Sequence, residues 1–248
     1  MRFAIFILLL SSGFVFGQRN LRDSSINTLI IGINYKLDFP AGDFADTWGL
    51  HSSIGLDANY KFKNNLTLGF NKGFLFGNTF LQPEIFDDLL TTEGTITNLN
   101  GLPANVLFLL RGWNSHINVG YVFNQLGNNP NSGLWINAGA GFLMHKIRIE
   151  SIYDPLPQLQ GDYAKGYDRL TYGFSTSQFI GYLFQADRRF LNFYAGFEFI
   201  QGFTQNRRAY NFDLGGPDNT SKFDFLYGLK VAWMVPIYKR APKEFYID

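Results

Sequence analysis

The sequence predicts an all-β fold: a closed antiparallel transmembrane β-barrel of eight strands, with short periplasmic turns and four long extracellular loops. Three observations predict it. Apolar residues recur with a period of two through most of the chain. Long and short connections alternate between the predicted strands. The composition, with 27 Phe, 13 Tyr and 26 Gly among 248 residues, suits a barrel that turns large side chains toward lipid and small ones toward its interior.

The first residues have the order of a secretory signal peptide. Arg2 supplies a positive charge, residues 3–10 are an unbroken apolar run, and Gly17 is a small residue at a plausible cleavage site. We therefore assign residues 1–17 to a cleavable signal peptide, 18–238 to the barrel and 239–248 to a short periplasmic tail. A short buried N-terminal strand or helix is the alternative. No segment after the signal approaches the ~20 apolar residues of a membrane-spanning helix.

Charge and cysteine content exclude several classes of protein. Without Arg2, the chain has 20 basic and 20 acidic residues, so no basic field is available to attract nucleic acid. The absence of cysteine excludes a disulfide scaffold and a thiolate metal site. We expect no nucleic-acid partner, no cofactor and no metal.

Eight segments show the strand pattern, and the one at 53–62 is the clearest. There Ile54, Leu56 and Tyr60 alternate with Ser53 and Asp57. The eight predicted strands are 28–38, 53–62, 66–76, 104–123, 134–150, 172–184, 191–202 and 223–238. Residues 106–110 are continuously apolar, so we predict a β-bulge near 113–115 that shifts the alternation of the fourth strand.

The connections between these strands are alternately long and short. An even number of strands with this asymmetry is typical of outer-membrane barrels whose two termini lie in the periplasm. Closure of the sheet also removes the unpaired edges that lipid cannot tolerate. The alternative is an exported soluble sandwich or a lipocalin-like barrel, which the outward aromatic residues and the loop asymmetry disfavour.

Polar residues at the alternate strand positions are predicted to form a network in the lumen. Its members are Lys36, Asp57, Asn59, Lys61, His116, Glu198 and Lys230. An eight-stranded barrel is only wide enough for side chains, and charges in so narrow a space must be paired. A structural ion-pair network is the first interpretation, and a proton or ion path is the alternative.

His51 and Ser53 are the strongest candidates for catalysis. A His-x-Ser spacing places both side chains on one face of a strand, where an imidazole could activate a hydroxyl. This short patch resembles the arrangement in outer-membrane lipid A deacylases, and nearby loop residues resemble lipid A palmitoyltransferases. The remaining catalytic residues of those families are not recognisable. We therefore predict that the protein is not an enzyme and has no catalytic residues. We expect His51 to lie at the barrel rim.

The last strand carries a pattern similar to the insertion signal that the barrel assembly machinery reads. In that signal a glycine is followed at the third and fifth positions by apolar or aromatic residues, here Gly228, Val231 and Trp233. The chain departs from the usual pattern because it continues for several residues beyond this strand. The resemblance implies that the assembly machinery is a partner during insertion, with outer-membrane lipid around the finished barrel.

Taken whole, the chain resembles the PorT-type and OmpA/OmpX-like outer-membrane barrels of Gram-negative envelopes. Glycine-aromatic strands, such as residues 193–199, carry the resemblance. It implies a structural envelope protein, an adhesin, or a subunit of a secretion or assembly complex. We predict an accessory or structural subunit that acts through its loops and lipid-facing surface. A narrow transport barrel is the first alternative, and a lipid-modifying enzyme is the second.

Aromatic residues in the long loops are the predicted contacts for other subunits of such a complex. They are Phe80, Phe86, Tyr153, Tyr163, Tyr167, Tyr210 and Phe212. Loop aromatics commonly anchor interfaces. The alternative is that they pack the loops against one another above the barrel.

Overall fold

In a computed structural model, which describes residues 24–151, 156–186 and 191–237, the sheet closes into a barrel of eight antiparallel strands. The predicted signal peptide and C-terminal tail lie outside the described residues. The strands are β1 (Thr28–Gly42), β2 (His51–Lys61), β3 (Leu66–Gly77), β4 (Val106–Phe123), β5 (Gly133–Ser151), β6 (Thr171–Phe184), β7 (Phe193–Asn206) and β8 (Ser221–Ile237). Each strand pairs with the next, and β8 pairs with β1. The all-β class and the eight-stranded closed sheet predicted from the sequence are therefore confirmed.

Side chains alternate between the two faces of the sheet along every strand. On β2 the burial pattern changes at each residue, with inward His51, Ser53 and Asp57 buried and outward Ile54 and Leu56 exposed. This period-two alternation follows from the pleat of a β-strand. It gives the molecule a mixed, mostly polar interior and an apolar exterior.

The predicted bulge in β4 is wrong. Residues 106–123 pair one-to-one with β5, from Val106 opposite Ser151 to Phe123 opposite Leu134, and no residue is inserted. The continuous apolar run has a different cause. At this end of β4 the inward side chains of Phe108 and Leu110 pack against loop residues, so both faces of the strand carry apolar side chains.

Three short connections, at 62–65, 124–132 and 185–192, lie at one end of the barrel, which we call the compact-turn end. The connections at the other end are 43–50, 78–105, 152–170 and 207–220, which we call loops L1 to L4. L1 is no longer than the 124–132 turn, because β1 runs on to Gly42 and β2 begins at His51. The predicted contrast in length therefore holds for L2, L3 and L4.

Short helical segments occur only in the connections, as far as the structure is described. L1 contains α1 (Asp43–Thr47) and L3 contains α2 (Gly161–Ala164), and 3-10 turns occupy Pro83–Leu89, Asn124–Leu126 and Pro157–Leu159. No helix in the described part of the chain is long and apolar enough to cross a membrane.

Candidate functional site: the filled lumen and its loop cap

A chain of buried ion pairs crosses the middle of the lumen. Lys36 Nζ lies 3.0 Å from Asp38 and 2.9 Å from Glu198, and Lys230 Nζ lies 2.9 Å from Glu198 and 3.4 Å from Asp57. The side chains of these five residues are at most 7% exposed. Because each ammonium lies between two carboxylates, neither Lys36 nor Lys230 is left with an uncompensated charge.

Neutral donors complete the coordination of Asp57. Asn34 donates an amide hydrogen bond to its carboxylate at 2.7 Å, and the Tyr194 hydroxyl donates another at 2.5 Å. Both donors are buried. A buried carboxylate costs much less when hydrogen bonds satisfy it, so Asn34 and Tyr194 belong to the same network.

Strand pairing explains how four strands bring this network together. Asn34, Lys36 and Asp38 are alternate residues of β1, and Lys230 is the register partner of Lys36 on β8. Glu198 comes from β7 and Asp57 from β2, the strands on either side of that pair. The network is therefore centred on the seam where the first strand meets the last.

Gly228 leaves room for the network at this seam. A Cβ at this inward position would lie 2.9 Å from Asp38 Oδ1 and 2.9 Å from Lys36 Cγ, and 2.5 Å from the Leu37 carbonyl oxygen. These distances are shorter than real Cβ contacts, so a larger residue would displace the ion pairs. The predicted insertion pattern thus combines this inward glycine with Val231 and Trp233, which are both outward and about half exposed.

The predicted network residues do not all join one cluster. His116 shares a hydrogen bond of 2.8 Å with Ser175, and Asn59 is buried beside the ion pairs. Lys61 lies apart at the end of β2, where its ammonium donates to Ser25 Oγ at 2.8 Å and Asn131 Oδ1 at 3.1 Å. No carboxylate of the described residues lies within salt-bridge distance of Lys61. The ion-pair chain and the Lys61 contacts are therefore separate.

An apolar cluster, which we call the lower seal, fills the lumen at the compact-turn end. It contains Ile30, Val122, Trp135, Phe179, Leu183, Tyr194, Ala232 and Met234. The rings of Trp135, Phe179 and Tyr194 lie 5.2 to 5.5 Å apart in edge-to-face contacts, an arrangement that aromatic pairs favour. Gly181 and Gly196 face each other beside this cluster, and a Cβ on either would collide with the Phe179 ring.

Loop residues form a second apolar cluster at the opposite end, which we call the loop cap. Its buried members are Phe44, Trp48, Leu75, Ile85, Phe86, Ile96, Leu110, Leu143, Ile147, Leu156, Leu159, Tyr167, Ile200 and Leu226. L1, L2 and L3 all contribute side chains, and inward-facing residues at the loop ends of the strands supply the rest. The Phe86 ring stacks on Phe108 at 4.0 Å and on Tyr167 at 5.6 Å. L1, L2 and L3 thus pack over the barrel end as a folded layer.

Little space remains between the two apolar clusters. A cavity of about 10 Å³ lies beside the ion pairs, among Asp57, Asn118, Glu198 and Lys230. That volume is roughly enough for one water molecule. The lumen is therefore a packed interior with charges at its centre and apolar layers at both ends.

The His51 and Ser53 side chains do not form a base–nucleophile pair. Ser53 Oγ donates to Asp38 Oδ2 at 3.3 Å, and His51 Nε2 lies 3.9 Å from the same oxygen. His51 Nδ1 contacts the Gly49 carbonyl oxygen at 3.2 Å, and Phe44 packs on the ring. A general base must hydrogen bond to the hydroxyl that it activates. Here Asp38 lies between the two groups, and His51 contacts L1 through Gly49 and Phe44.

A further polar pair lies beneath the loop cap and was not predicted. His145 Nε2 lies 2.9 Å from Asp224 Oδ2, and the Thr204 hydroxyl donates to the same oxygen at 2.5 Å. The same strand alternation that identified the lumen network also points to Asp224, and to Asn34 and Asp38. No group of three or more metal-ligating side chains occurs among the described residues.

The predicted loop contacts divide into buried and exposed residues. Phe86 and Tyr167 are buried in the loop cap, and Phe80 packs against it, so these three hold the loops together rather than offering a contact surface. Tyr153 lies outside the described residues. Tyr163, Tyr210 and Phe212 are exposed, at 64%, 50% and 38%.

The exposed loop aromatics lie near an open groove of about 530 Å³ between L3 and L4. Tyr210 and Phe212 line it, together with Lys165, Arg207 and Arg208. Arg208 forms a two-point ion pair with Asp168, whereas the Arg207 guanidinium lies over the Tyr172 ring, 5.1 Å from its centroid. The groove therefore offers aromatic faces and one arginine that stacks instead of pairing with a carboxylate.

A second pocket, of about 360 Å³, lies where all four loops meet. Lys146, Arg169 and Lys222 line it, and each lies near a carboxylate; for example, Lys222 is 3.7 Å from Asp218. Burial opposes ionisation of Asp218, but hydrogen bonds from Thr220 and the charges of Lys222 and Arg169 outweigh it and hold its pKa below the ordinary range. The charges lining this pocket are compensated within the chain.

Comparison with known proteins gives similarity of structure only. No protein-family model matches the chain, and no curated protein sequence matches it. Among solved structures, the chain is similar to Ail, the attachment invasion locus protein of Yersinia pestis, in complex with the heparin analogue sucrose octasulfate, with a TM-score of 0.42 and 9% identity over 84% of this chain and 99% of that one.

A second solved structure of Ail gives a TM-score of 0.40 with 11% identity, again over 84% of this chain and 99% of that one. The N-terminal β-barrel domain of Pseudomonas aeruginosa OprF gives a TM-score of 0.37 with 13% identity, over 84% of this chain and 98% of that one. Structural similarities with TM-scores and sequence identities this low do not support an inference about function.

Proposed function

We propose that this chain is an integral outer-membrane barrel with a closed lumen, which works by binding rather than by conduction or catalysis. The observation that carries the proposal is the lumen itself, where paired charges lie between two apolar clusters. More specifically, we propose that the barrel serves as an accessory subunit of an outer-membrane secretion or assembly complex.

The outer surface supports the membrane location. Every strand exposes large apolar side chains on its outward face, such as Ile33 on β1, Leu56 on β2 and Phe197 on β7, each at least 52% exposed. Soluble monomers rarely expose contiguous apolar patches larger than a few hundred Å². An apolar belt around a closed barrel is the arrangement that a lipid bilayer requires.

The filled lumen supports the absence of conduction. An ion passing through the lumen would have to displace the ion pairs of Lys36 and Lys230. It would also have to cross both the loop cap and the lower seal. Transferring an ion into such surroundings is strongly unfavourable. In planar bilayers the refolded chain should therefore give no stepwise conductance above that of the bare membrane. A reproducible unitary conductance would overturn the closed-lumen part of the proposal.

The exposed groove between L3 and L4 supports a binding role. Tyr210 and Phe212 in its wall, and the exposed Tyr163, which follows the groove residue Asp162 in sequence, present aromatic surface to the outside. Aromatic residues are enriched in protein interfaces and their hot spots. Catalysis at the rim lacks a base–nucleophile pair, because Asp38 separates His51 from Ser53. A His51→Ala variant should leave the envelope lipids unchanged.

Affinity purification of the tagged protein from native outer membranes tests the subunit role. Stoichiometric co-purification with secretion or assembly proteins is the expected result. Tyr163→Ala combined with Tyr210→Ala should lower the recovery of the partner at least tenfold, since interface hot spots contribute about 2 kcal/mol or more. Leu126→Ala, which alters an exposed side chain in a compact turn at the other end, is the matched control. Recovery of the barrel alone in gentle detergent would contradict the subunit role.

A further inference from the structure

A group of small and polar side chains interrupts the apolar outer surface on three neighbouring strands. Ala138 and Ala140 on β5 lie opposite Gln178 and Thr176 on β6, and Thr176 lies opposite Gln201 on β7. We call these five residues the outward polar patch. Both alanines are exposed, and the other three side chains are half-buried.

Gln178 lies at mid-height on this surface. The outward row of β6 is Tyr172, Phe174, Thr176, Gln178, Ile180, Tyr182 and Phe184, so Gln178 is its fourth and central member. Aromatic residues stand at both ends of this row. A strand of about 9–11 residues spans a bilayer, and the membrane location proposed above therefore puts the Gln178 amide near the middle of the hydrocarbon layer.

Hydrogen bonding within the barrel leaves these amides incompletely satisfied. The Thr176 hydroxyl donates to Gln201 Oε1 at 2.8 Å, which uses one acceptor and leaves the Gln201 NH₂ group without a partner among the described residues. The Gln178 side chain has no hydrogen-bond partner among the described residues. An amide without a partner in hydrocarbon is costly, and acyl chains offer it no donor or acceptor.

We infer that the outward polar patch is the contact face of a homodimer within the membrane; this inference rests on the membrane location proposed above. A carboxamide carries both donor and acceptor groups, so two copies related by a two-fold axis can satisfy each other's Gln178 and Gln201 amides. The patch carries no charge, so like copies do not repel. The second copy also brings its own small residues to the same depth.

Ala138 and Ala140 make the close approach possible. Large side chains such as Phe142 and Phe174 lie above them on β5 and β6, and Ile136 and Ile180 lie below. The alanines thus form a shallow depression at the level of the amides. Small residues at membrane interfaces let two backbones approach closely, and polar side chains then bond across the interface.

Site-specific cross-linking tests the dimer directly, because the chain has no cysteine of its own. Ala140→Cys places one thiol in the patch, and Ala58→Cys places one on β2, at an exposed outward position on the opposite side of the barrel. In phosphatidylcholine vesicles with the full chain, the variant at position 140 should form a covalent dimer in good yield. The variant at position 58 should give only the background of random collisions.

Substitution of the glutamine tests the physical basis. Gln178→Leu should raise the dimer dissociation constant about tenfold. In a symmetric dimer the substitution removes two hydrogen bonds across the interface, each of roughly 0.6 kcal/mol, as between transmembrane helices. The measurement is energy transfer between donor- and acceptor-labelled barrels as lipid dilutes them. Gln205→Leu is the matched control, since Gln205 faces outward on β7 but lies at the rim, where its amide donates to the Asn219 carbonyl at 2.8 Å.

Insertion is measured first in the same vesicles, by heat-modifiable migration and protease protection. A chain that fails to insert would overturn the membrane location and the dimer with it. A chain that inserts, yet cross-links equally from positions 140 and 58, would overturn the dimer alone. A cross-link in native membranes from position 140 to a different protein would also overturn it, because a second copy would then not be the occupant.

Discussion

Glu198 holds two lysines at once, since its two oxygens lie 2.9 Å from Lys36 Nζ and 2.9 Å from Lys230 Nζ. Glu198→Gln would remove the carboxylate that the two lysines share, so each ammonium would keep only one of its two charge partners, Asp38 for Lys36 and Asp57 for Lys230. Removing one member of a buried ion pair costs about 3–5 kcal/mol. We expect a loss of that size in the free energy of unfolding, measured by urea titration of the barrel in vesicles.

Glu150→Gln provides the comparison for that substitution. Glu150 lies 2.5 Å from Arg148, but their side chains are 36% and 56% exposed. Exposed pairs contribute about 0–1 kcal/mol, so this variant should unfold almost like the parent chain. Equal effects of the two substitutions would show that burial of the network does not contribute to stability.

Gly228 gives a second prediction at the scale of one residue. Gly228→Val would force its side chain against Asp38, Lys36 and the backbone of β1, which lie within 3 Å of the new Cβ. Overpacking of this kind costs about 1–3 kcal/mol, so the heat-modifiable folded fraction should fall. Gly216→Ala is the control, because no atom lies within 4 Å of its Cβ position. A folded fraction that does not change in Gly228→Val would contradict the packing argument.

The loop cap joins L1, L2 and L3 to the inward-facing side chains at the ends of the strands below it. Phe86 is buried among L1, L2 and L3, and its ring stacks on Phe108 and Tyr167. Phe86→Ala should cost about 3–5 kcal/mol of local packing. Limited proteolysis should then cleave L2 much faster while the strands stay protected, whereas Tyr163→Ala, at an exposed position, should leave cleavage unchanged.

The strands could be predicted from the sequence because their period-two pattern is local. The lumen positions of Lys36, Glu198 and Lys230 follow from the same alternation, and the structure places all three in one ion-pair chain. The loop cap could be predicted only as an alternative to a contact surface, because burial of Phe86 and Tyr167 depends on contacts between loops far apart in the chain. The error in β4 has the same origin, since its apolar upper end packs against those loops.

At the scale of the whole molecule, two apolar layers close the lumen independently. The lower seal includes Trp135 and Phe179, and the loop cap lies beyond the ion pairs at the other end. Opening only the lower seal with Trp135→Ala and Phe179→Ala should leave bilayer conductance at the baseline, provided that the variant still folds. Unitary currents from this variant would show that the ion pairs and loop cap do not block the lumen.

The position of the network at the seam between β1 and β8 bears on how the barrel assembles. Lys36 and Lys230 are register partners across that seam, so joining the two strands alone brings together two ammonium groups with only one carboxylate of the network, Asp38 on β1. The neutralising carboxylates of Asp57 and Glu198 come from β2 and β7, the outer neighbours of the joined pair. The full electrostatic gain therefore arises only when all four strands are in place. Closure of the sheet should be an all-or-none event late in folding, with an open, partly paired barrel disfavoured as an intermediate.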